Sequence, residues 1–295
     1  MDKDLEVLDH LTLSEPVTVS NEISRPKILY IVPFRGKNNY RKKNIKIVLQ
    51  WLNNVKESLM ENYNVTFDIC VIEQDREPYD QLVKENIDYK FVSNPGLFSK
   101  GWAFNVVVKQ HPEYQYYCFA DADIIVPDID FFTLQIIEHC IVNPKSAFRP
   151  FTDRLDIEMT HCQTITDYDA LERAYPTIKS ELTRHDGLSF ATNMIFMSKE
   201  TYDLIGGWDE MFRGWGRYDD FISHKLMMIA QCTGCYSPTE AVHLWHPVTL
   251  DFSLNQDNVR LYDKYIKYDK PDLLSLIDNN RKIMGNPDLY VVVST

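Results

Sequence analysis

Short apolar runs alternate with stretches of helical spacing through the first 120 residues, and that alternation most restricts what this chain can become. Lys27-Ile-Leu-Tyr-Ile-Val-Pro33 is an apolar run closed by proline, as a buried strand would be. From Asn39 to Tyr63 the apolar residues fall at Ile45, Val48, Leu49, Leu52, Val55 and Leu59, along one face of a helix. Phe67–Ile72 predicts a second strand, Pro78–Asn86 a helix started by proline, Tyr89–Val92 a third strand, Lys100–Gln110 a helix, and Tyr116–Ala120 a fourth strand. Strands alternating with helices predict an α/β chain with a Rossmann-like, mostly parallel central sheet flanked by helices. Ligands of such sheets sit beyond the carboxyl ends of the strands, where strand order reverses. Two polar clusters follow strands in that way, Pro33-Phe-Arg-Gly-Lys37 and Asp121-Ala-Asp123. The second half is more mixed, with a strand expected over Ser189–Met197, a helix over Asp219–Ala230 and a strand over Cys235–Trp245. A helical, peripheral segment is expected from about Asn255 to Met284.

Charge narrows the partners. The 295 residues carry 31 Lys and Arg against 43 Asp and Glu, a net charge of −12, which argues against gripping a nucleic-acid backbone. A small anion still fits if a metal or a local basic loop neutralises it. No run approaches the ~20 apolar residues of a membrane helix. The first 26 residues have neither the basic start nor the apolar centre of a signal peptide. Cys70, Cys118, Cys140, Cys162, Cys232 and Cys235 are too thinly spread for a disulfide framework, and Cys232-Thr-Gly-Cys235 has no second pair to complete a zinc site. The expectation is a soluble, cytoplasmic protein with free thiols.

Chemistry concentrates at four places. Asp121 and Asp123 end a buried strand, where two neighbouring carboxylates cannot both stay ionised without a counter-charge. A divalent cation supplies it, and hard oxygen ligands suit Mg2+ or Mn2+. The alternative is a solvated turn, in which Asp is common. His243-Leu-Trp-His246-Pro247 adds two imidazoles. Residues three apart face opposite sides of a regular strand, so both reach one ion only if the strand ends there. Together with the two aspartates they make a mixed O/N shell that shifts the preference from Mg2+ toward Mn2+. Four of the ten glycines fall between Gly206 and Asp220, beside Trp208 and Trp215, a composition suited to a moving loop that stacks on a sugar face. Asp219 and Asp220 open the helix that follows, where a carboxylate either caps the helix or stays ionised as a general base. Arg35 and Lys37 are either surface charges or the basic part of a nucleotide-binding loop. The lone glycine there is unlike a dinucleotide fingerprint or a P-loop.

Pro33-Phe-Arg35, Phe98-Ser-Lys-Gly-Trp-Ala-Phe-Asn105, Asp121-Ala-Asp123, Gly214-Trp-Gly-Arg-Tyr-Asp-Asp220 and His243-Leu-Trp-His246 occur in this order. In that order and spacing, from Lys27 to Pro247, the chain resembles the β-1,4-galactosyltransferase-like enzymes and the related chondroitin-polymerase and polypeptide GalNAc-transferase domains. The resemblance implies the GT-A fold and metal-dependent, inverting transfer from a UDP-sugar to a glycan-type acceptor. It implies that Pro33, Phe34 and Arg35 line the uridine pocket, that Lys100 and Asp121 serve the nucleotide-sugar, and that Trp215 and Gly216 form a mobile loop over the donor. It implies Asp123 and His246 as ligands of Mn2+ (Mg2+ is possible), His243 at a methionine ligand's place, and Asp219 as catalytic base with Asp220 beside it. Arg217 and Tyr218 depart from the family's pattern, standing where it has a glycine and a glutamate.

The expected organisation is a tail over 1–26, one domain over 27–250 and a C-terminal helical extension over 251–295. Within the domain a nucleotide-sugar half runs to about 127 and an acceptor half follows. Two other functions are weighed. A non-catalytic nucleotide- or carbohydrate-binding protein of the same fold is kept open by Tyr218. A sugar-phosphate nucleotidyltransferase would need a glycine-rich loop where Pro33–Lys37 has one glycine.

Overall fold

Strand β1 (Lys27–Phe34) sits at the middle of the molecule, and its alternate side chains feed two separate apolar cores. Ile28, Tyr30, Val32 and Phe34 point to one face, Leu29 and Ile31 to the other, and all are buried. The structure is a computed structural model describing residues 26–82, 85, 87–232, 234–247, 252–289 and 292–293, so the expected tail lies outside the described residues apart from Pro26.

After β1 come α1 (Asn39–Tyr63), β2 (Thr66–Asp75), β3 (Asp88–Ser93), α2 (Lys100–Gln110), β4 (Tyr116–Ala120) and β5 (Ile124–Ile125). Then α3 (Ile129–Ile137) runs into a π-helical turn, followed by β6 (Ala147–Phe148), β7 (Asp153–Asp156), α4 (Met159–Cys162), α5 (Tyr168–Ile178) and β8 (Thr183–His185). The chain continues with β9 (Met194–Ser198), α6 (Lys199–Leu204), α7 (Tyr218–Met228), β10 (Glu240–His243), α8 (Phe252–Tyr265), α9 (Lys270–Arg281) and β11 (Val292–Val293).

The central sheet has the order β11-β3-β2-β1-β4-β9-β6. Strands β3, β2, β1 and β4 are mutually parallel, while β11 and β9 run against their neighbours. The expected α/β architecture is present, a mostly parallel sheet flanked by helices. Strand order reverses between β1 and β4, so the crevice at their carboxyl ends is the place where such a sheet receives ligands. A smaller sheet, β5-β10-β7-β8, stands beside that crevice. Helix α1 covers one face with Trp51 and Leu52, and α2 covers the other with Trp102 and Phe104. Burying such side chains is worth roughly 1.5–3 kcal/mol each.

Four expectations need correction. The helix expected from Pro78 starts late: the Tyr79 N–H is drawn back to the Glu73 carboxylate, a turn closed by the Leu82 N–H on the Tyr79 carbonyl follows, and Leu82 opens a 3-10 turn whose carbonyl accepts the Glu85 N–H at 3.2 Å; Val83, Lys84 and Asn86 lie outside the described residues. The strand expected from Ser189 begins only at Met194, because Asn193 takes a left-handed φ of 64° that ends a turn. The run from Cys235 to Trp245 keeps only β10 and a single bridge between Tyr236 and Arg149; the N–H-less Pro238 sits in a tight turn between them. The C-terminal segment is helical as expected but not peripheral: Leu273 and Ile277 are buried in the same apolar core as α2, and β11 extends the sheet beside β3. No helix among the described residues is long and apolar enough to cross a membrane.

Gly206-Gly207 joins these parts. A Cβ on Gly206 would stand 2.5 Å from Ile277 of α9, and one on Gly207 would stand 2.7 Å from the Tyr202 hydroxyl and 2.8 Å from Asn105 of α2. Both glycines have φ above +60°. Replacing Gly207 with alanine is expected to cost about 2 kcal/mol or more in urea unfolding, since a left-handed backbone and an overpacked site act together.

Candidate active site

The turn after β4 is locked to the end of β10. Ile124 pairs with His243 across β5 and β10, and the Leu244 N–H donates to the Asp123 carbonyl at 2.8 Å. Because β10 ends at His243, the chain bends and brings His246 to the same side as His243. Asp123 Oδ2 lies 3.0 Å from His246 Nε2, and Asp123 Oδ1 lies 3.6 Å from His243 Nε2. One ligand atom from each of the three falls within 4.8 Å of the others. A carboxylate and two imidazoles on one side, with coordination positions left for other ligands, are a donor set that suits Mn2+ better than Mg2+.

Burial pushes the Asp123 carboxyl upward, yet His243, His246 and Arg41 together hold it well below the usual carboxylate range. Burial pulls His243 down, but Asp123 and Asp156 outweigh it and raise the imidazole above its ordinary value. Asp156 on β7 stands against burial in the same way, held at about 2 by His243 and Arg154.

A chain of side chains joins the two aspartates of the Asp-Ala-Asp motif from behind. Asn193 donates Nδ2 to Asp121 Oδ2 at 2.9 Å and accepts from Arg154 Nη1 at 3.1 Å. Arg154 Nε donates to Asp156 Oδ1 at 2.7 Å, and that oxygen lies 3.4 Å from His243 Nδ1. With Nδ1 turned to a carboxylate, His243 presents Nε2 toward Asp123. Sequence reasoning missed Asn193, Arg154 and Asp156. Nothing local marks them, because the parallel pairing of β7 with β10 creates the contact.

Lys100 opens α2 beneath the motif. The residue is 5% exposed, and its ammonium lies 2.7 Å from Asp121 Oδ1 and 3.1 Å from Asp219 Oδ1. Burial disfavours its charge, but the two carboxylates raise its pKa above the usual lysine value. Asp219, in the first turn of α7, is pushed up to about 6 by burial and by Asp121, with Lys100 opposing. Asp220 points elsewhere, pairing with Arg217 at 2.9 Å.

The structure thus brings Asp121, Asp123, Lys100, Asp219, His243 and His246 to one crevice. The remaining expected residues stand around it. Pro33 is buried at the end of β1 opposite Ile72, and the Phe34 ring is part of the core. Arg35 holds the loop after β3, donating to the carbonyls of Gln74, Asn94 and Gly96 at 2.5, 2.9 and 2.7 Å. Trp215 is 58% exposed on a loop with left-handed φ at Gly214, Gly216 and Arg217. Asn258 of α8, also missed from sequence, holds that loop: its Nδ2 lies 2.9–3.0 Å from the carbonyls of Arg213, Trp215 and Gly216.

No protein-family model matches the sequence, and no curated protein matches it. Solved structures do resemble it. The catalytic domain of Drosophila β1,4-galactosyltransferase 7 in complex with xylobiose matches over 72% of this chain at 13% identity, with a TM-score of 0.40; the match spans 64% of that chain. The mannosyltransferase PcManGT from Pyrobaculum calidifontis, in complex with GDP-Man and Mn2+, matches over 88% of this chain and 70% of its own at 12% identity, with a TM-score of 0.49. GalNAc-T7 with UDP, GalNAc and Mn2+ matches over 88% of this chain and 54% of its own at 13% identity, also at 0.49. The chemistry therefore rests on this chain's own side chains.

Two outcomes follow from the contacts behind the crevice. Asp156→Ala is expected to weaken Mn2+ binding by about 10- to 100-fold in calorimetry. Asn258→Ala, which strips three carbonyls of their donor, is expected to lower unfolding stability by about 1–3 kcal/mol.

Proposed function

We propose that this protein is a metal-dependent, inverting glycosyltransferase of the GT-A type that moves a sugar from a UDP-sugar to a hydroxyl of a glycan-type acceptor. The observation that carries the reading is the convergence of Asp123, His243 and His246 at the switch point of a mostly parallel sheet, with Asp219 tied to the same crevice through Lys100 and Asp121.

Asp123, His243 and His246 would hold the divalent ion. Bound there, the ion supplies charge neutralisation for the departing diphosphate. The nucleoside has a polar cavity of about 390 Å3 at the carboxyl ends of β1 and β2, lined by Lys37, Lys42, Glu73, Asp75 and Tyr79 among others. Arg35 would shape that side by fixing the 94–96 loop, and Phe34 by packing under Gly36.

Asp219 is the general base. Its carboxylate takes the proton of the acceptor hydroxyl as the acceptor oxygen bonds to the anomeric carbon. The carbon–oxygen bond to the diphosphate breaks, and its electron pair leaves with UDP. Burial raises the base toward the working pH, where a general base is most effective, and proton transfer to such a base contributes on the order of 10²–10⁴ in rate. Lys100 keeps the carboxylate aimed, while Asp220 stays on Arg217 and takes no proton. Trp215 and Gly216 form the cover over the donor.

The decisive assay is a panel of UDP- and GDP-sugars tested for Mn2+-dependent release of nucleoside diphosphate, with and without glycan acceptors. Release of UDP supports the reading. Pyrophosphate release from UTP or GTP incubated with sugar 1-phosphates would make the protein a nucleotidyltransferase, and UDP binding without release from any nucleotide-sugar would make it a binding protein. Asp123→Ala is expected to abolish transfer at any Mn2+ level, and Asp219→Asn to keep UDP affinity while losing turnover by about 10²-fold or more. Because the base must be unprotonated and its pKa is pushed up to about 6, kcat should rise with pH through about 6 and then level off. A flat profile from pH 5 to 8 would remove Asp219 from the role.

A further inference from the structure

Helix α1 carries three consecutive basic residues near its start, Arg41, Lys42 and Lys43, and the structure sends them in three directions. Lys42 lies over the Tyr79 ring at 5.0 Å. Lys43 donates to the Cys162 carbonyl and to its sulfur. Arg41 alone turns to the Asp123–His243–His246 cluster, its Nη2 lying 3.4 Å from Nδ1 and 3.3 Å from Nε2 of His246. Near-equal distances to both ring nitrogens put the guanidinium over the face of the imidazole, since an in-plane approach would drive it into the carbon between them. The ring's own in-plane partners are Asp123 Oδ2 at 3.0 Å and the Pro247 carbonyl at 3.2 Å.

The placement is built, not incidental. Asn38 caps α1 by accepting the Arg41 N–H at 3.0 Å. One turn on, the buried Asn44 donates to the carbonyls of Leu244 and Trp245 at 3.2 and 3.1 Å. Tyr40 meets the Trp245 ring edge-on at 4.8 Å. These contacts dock the first turn of the helix on the segment carrying His246 and leave Arg41 over the cluster. Among the described residues Arg41 has no carboxylate at ion-pair distance, in a chain whose acidic residues outnumber the basic ones by 43 to 31.

The charge of Arg41 acts on Asp123, but among the described residues no carboxylate stands at ion-pair distance from the guanidinium. A divalent ion held by Asp123, His243 and His246 would compete for that same carboxylate and leave an excess of positive charge, which an anionic ligand between the ion and Arg41 would balance. We infer that Arg41 is a binding residue for the diphosphate of the nucleotide, meeting it from the side opposite the cluster. This rests on the proposed glycosyl transfer for the identity of the nucleotide, and on the geometry alone for the anion. A guanidinium fork suits paired phosphate oxygens better than an ammonium does.

The test compares wild type with Arg41→Met and Arg41→Lys by calorimetry, using Mn2+ alone and then UDP, UMP and inorganic pyrophosphate at saturating Mn2+. Thermal melting of each variant checks folding. Arg41→Met should lose about 10- to 100-fold in affinity for UDP and pyrophosphate, should lose less for UMP, and should keep its affinity for Mn2+ alone. Arg41→Lys should recover part of the loss, which a merely structural role would not produce. Unchanged UDP and pyrophosphate affinity in Arg41→Met overturns the inference, as does an equal loss of Mn2+ binding. If wild type binds pyrophosphate through Arg41 but cleaves no nucleotide-sugar, the transferase reading falls and this inference stands. If UDP-sugars are cleaved and Arg41→Met binds UDP normally, only this inference falls. A wild type that binds neither UDP nor pyrophosphate overturns both.

Discussion

Asp123 is a carboxylate 6% exposed, and a buried anion persists only where positive charge and hydrogen-bond donors compensate it. Much of the local architecture supplies that compensation. His246 comes from the bend after β10, His243 from its last residue, and Arg41 from the first turn of α1. Each belongs to a segment far away in sequence, so the anion can be accommodated only when β1 through β10 have assembled. The pairing of β5 with β10 turns this requirement into geometry, because it fixes the Asp123 backbone and the His243 backbone in one ladder.

Lys100 performs the complementary task on the other aspartate. An ammonium reaching Asp121 at 2.7 Å and Asp219 at 3.1 Å makes the start of α2 a pivot between strand β4 and helix α7. The environments then separate the carboxylates chemically. Asp123, ringed by imidazoles and a guanidinium, is held strongly ionised, while Asp219, buried with one shared cation, is pushed up to about 6. Carboxylates driven apart in this way suit different duties, one as a fixed ligand and one as a proton acceptor.

The parts of this arrangement that were legible in sequence were those with a local signature. The apolar run before Asp121, the helical spacing after Asn39 and the glycine-rich stretch before Asp219 each declare an element and its end. Lys27–Phe34 and Asn39–Tyr63 lie within a residue of where their patterns put them. The signal failed where a side chain acts across the fold. Nothing in Asp153-Arg-Leu-Asp156 marks a site residue, and only its register beside Glu240–His243 turns Asp156 toward an imidazole. The strand expected from Ser189 broke at Asn193 because the same residue bends the chain and reaches Asp121. Arg41 carries no local mark, and only the docking of the first turn of α1 on the segment of His246 brings it to the cluster.

The C-terminal helices complete the logic of the glycine-rich loop. Left-handed φ values at Gly214, Gly216 and Arg217 leave a backbone that no helix or strand can pair, so its carbonyls need donors from elsewhere. Asn258 supplies one amide to three of them, and Asn280 of α9 donates to Asp209 at 2.9 Å just upstream. The Gly285 N–H donates to Glu210 at 2.6 Å, and the same carboxylate takes Nδ2 of Asn105 in α2 at 2.8 Å. The segment that carries Trp215 and leads into Asp219 is therefore suspended between α2 and the last two helices. The loop is held at its carbonyls with its indole left exposed, while Asp219 stays on Lys100. The extension beyond β10 thus helps to set where Asp219 and Trp215 stand relative to each other.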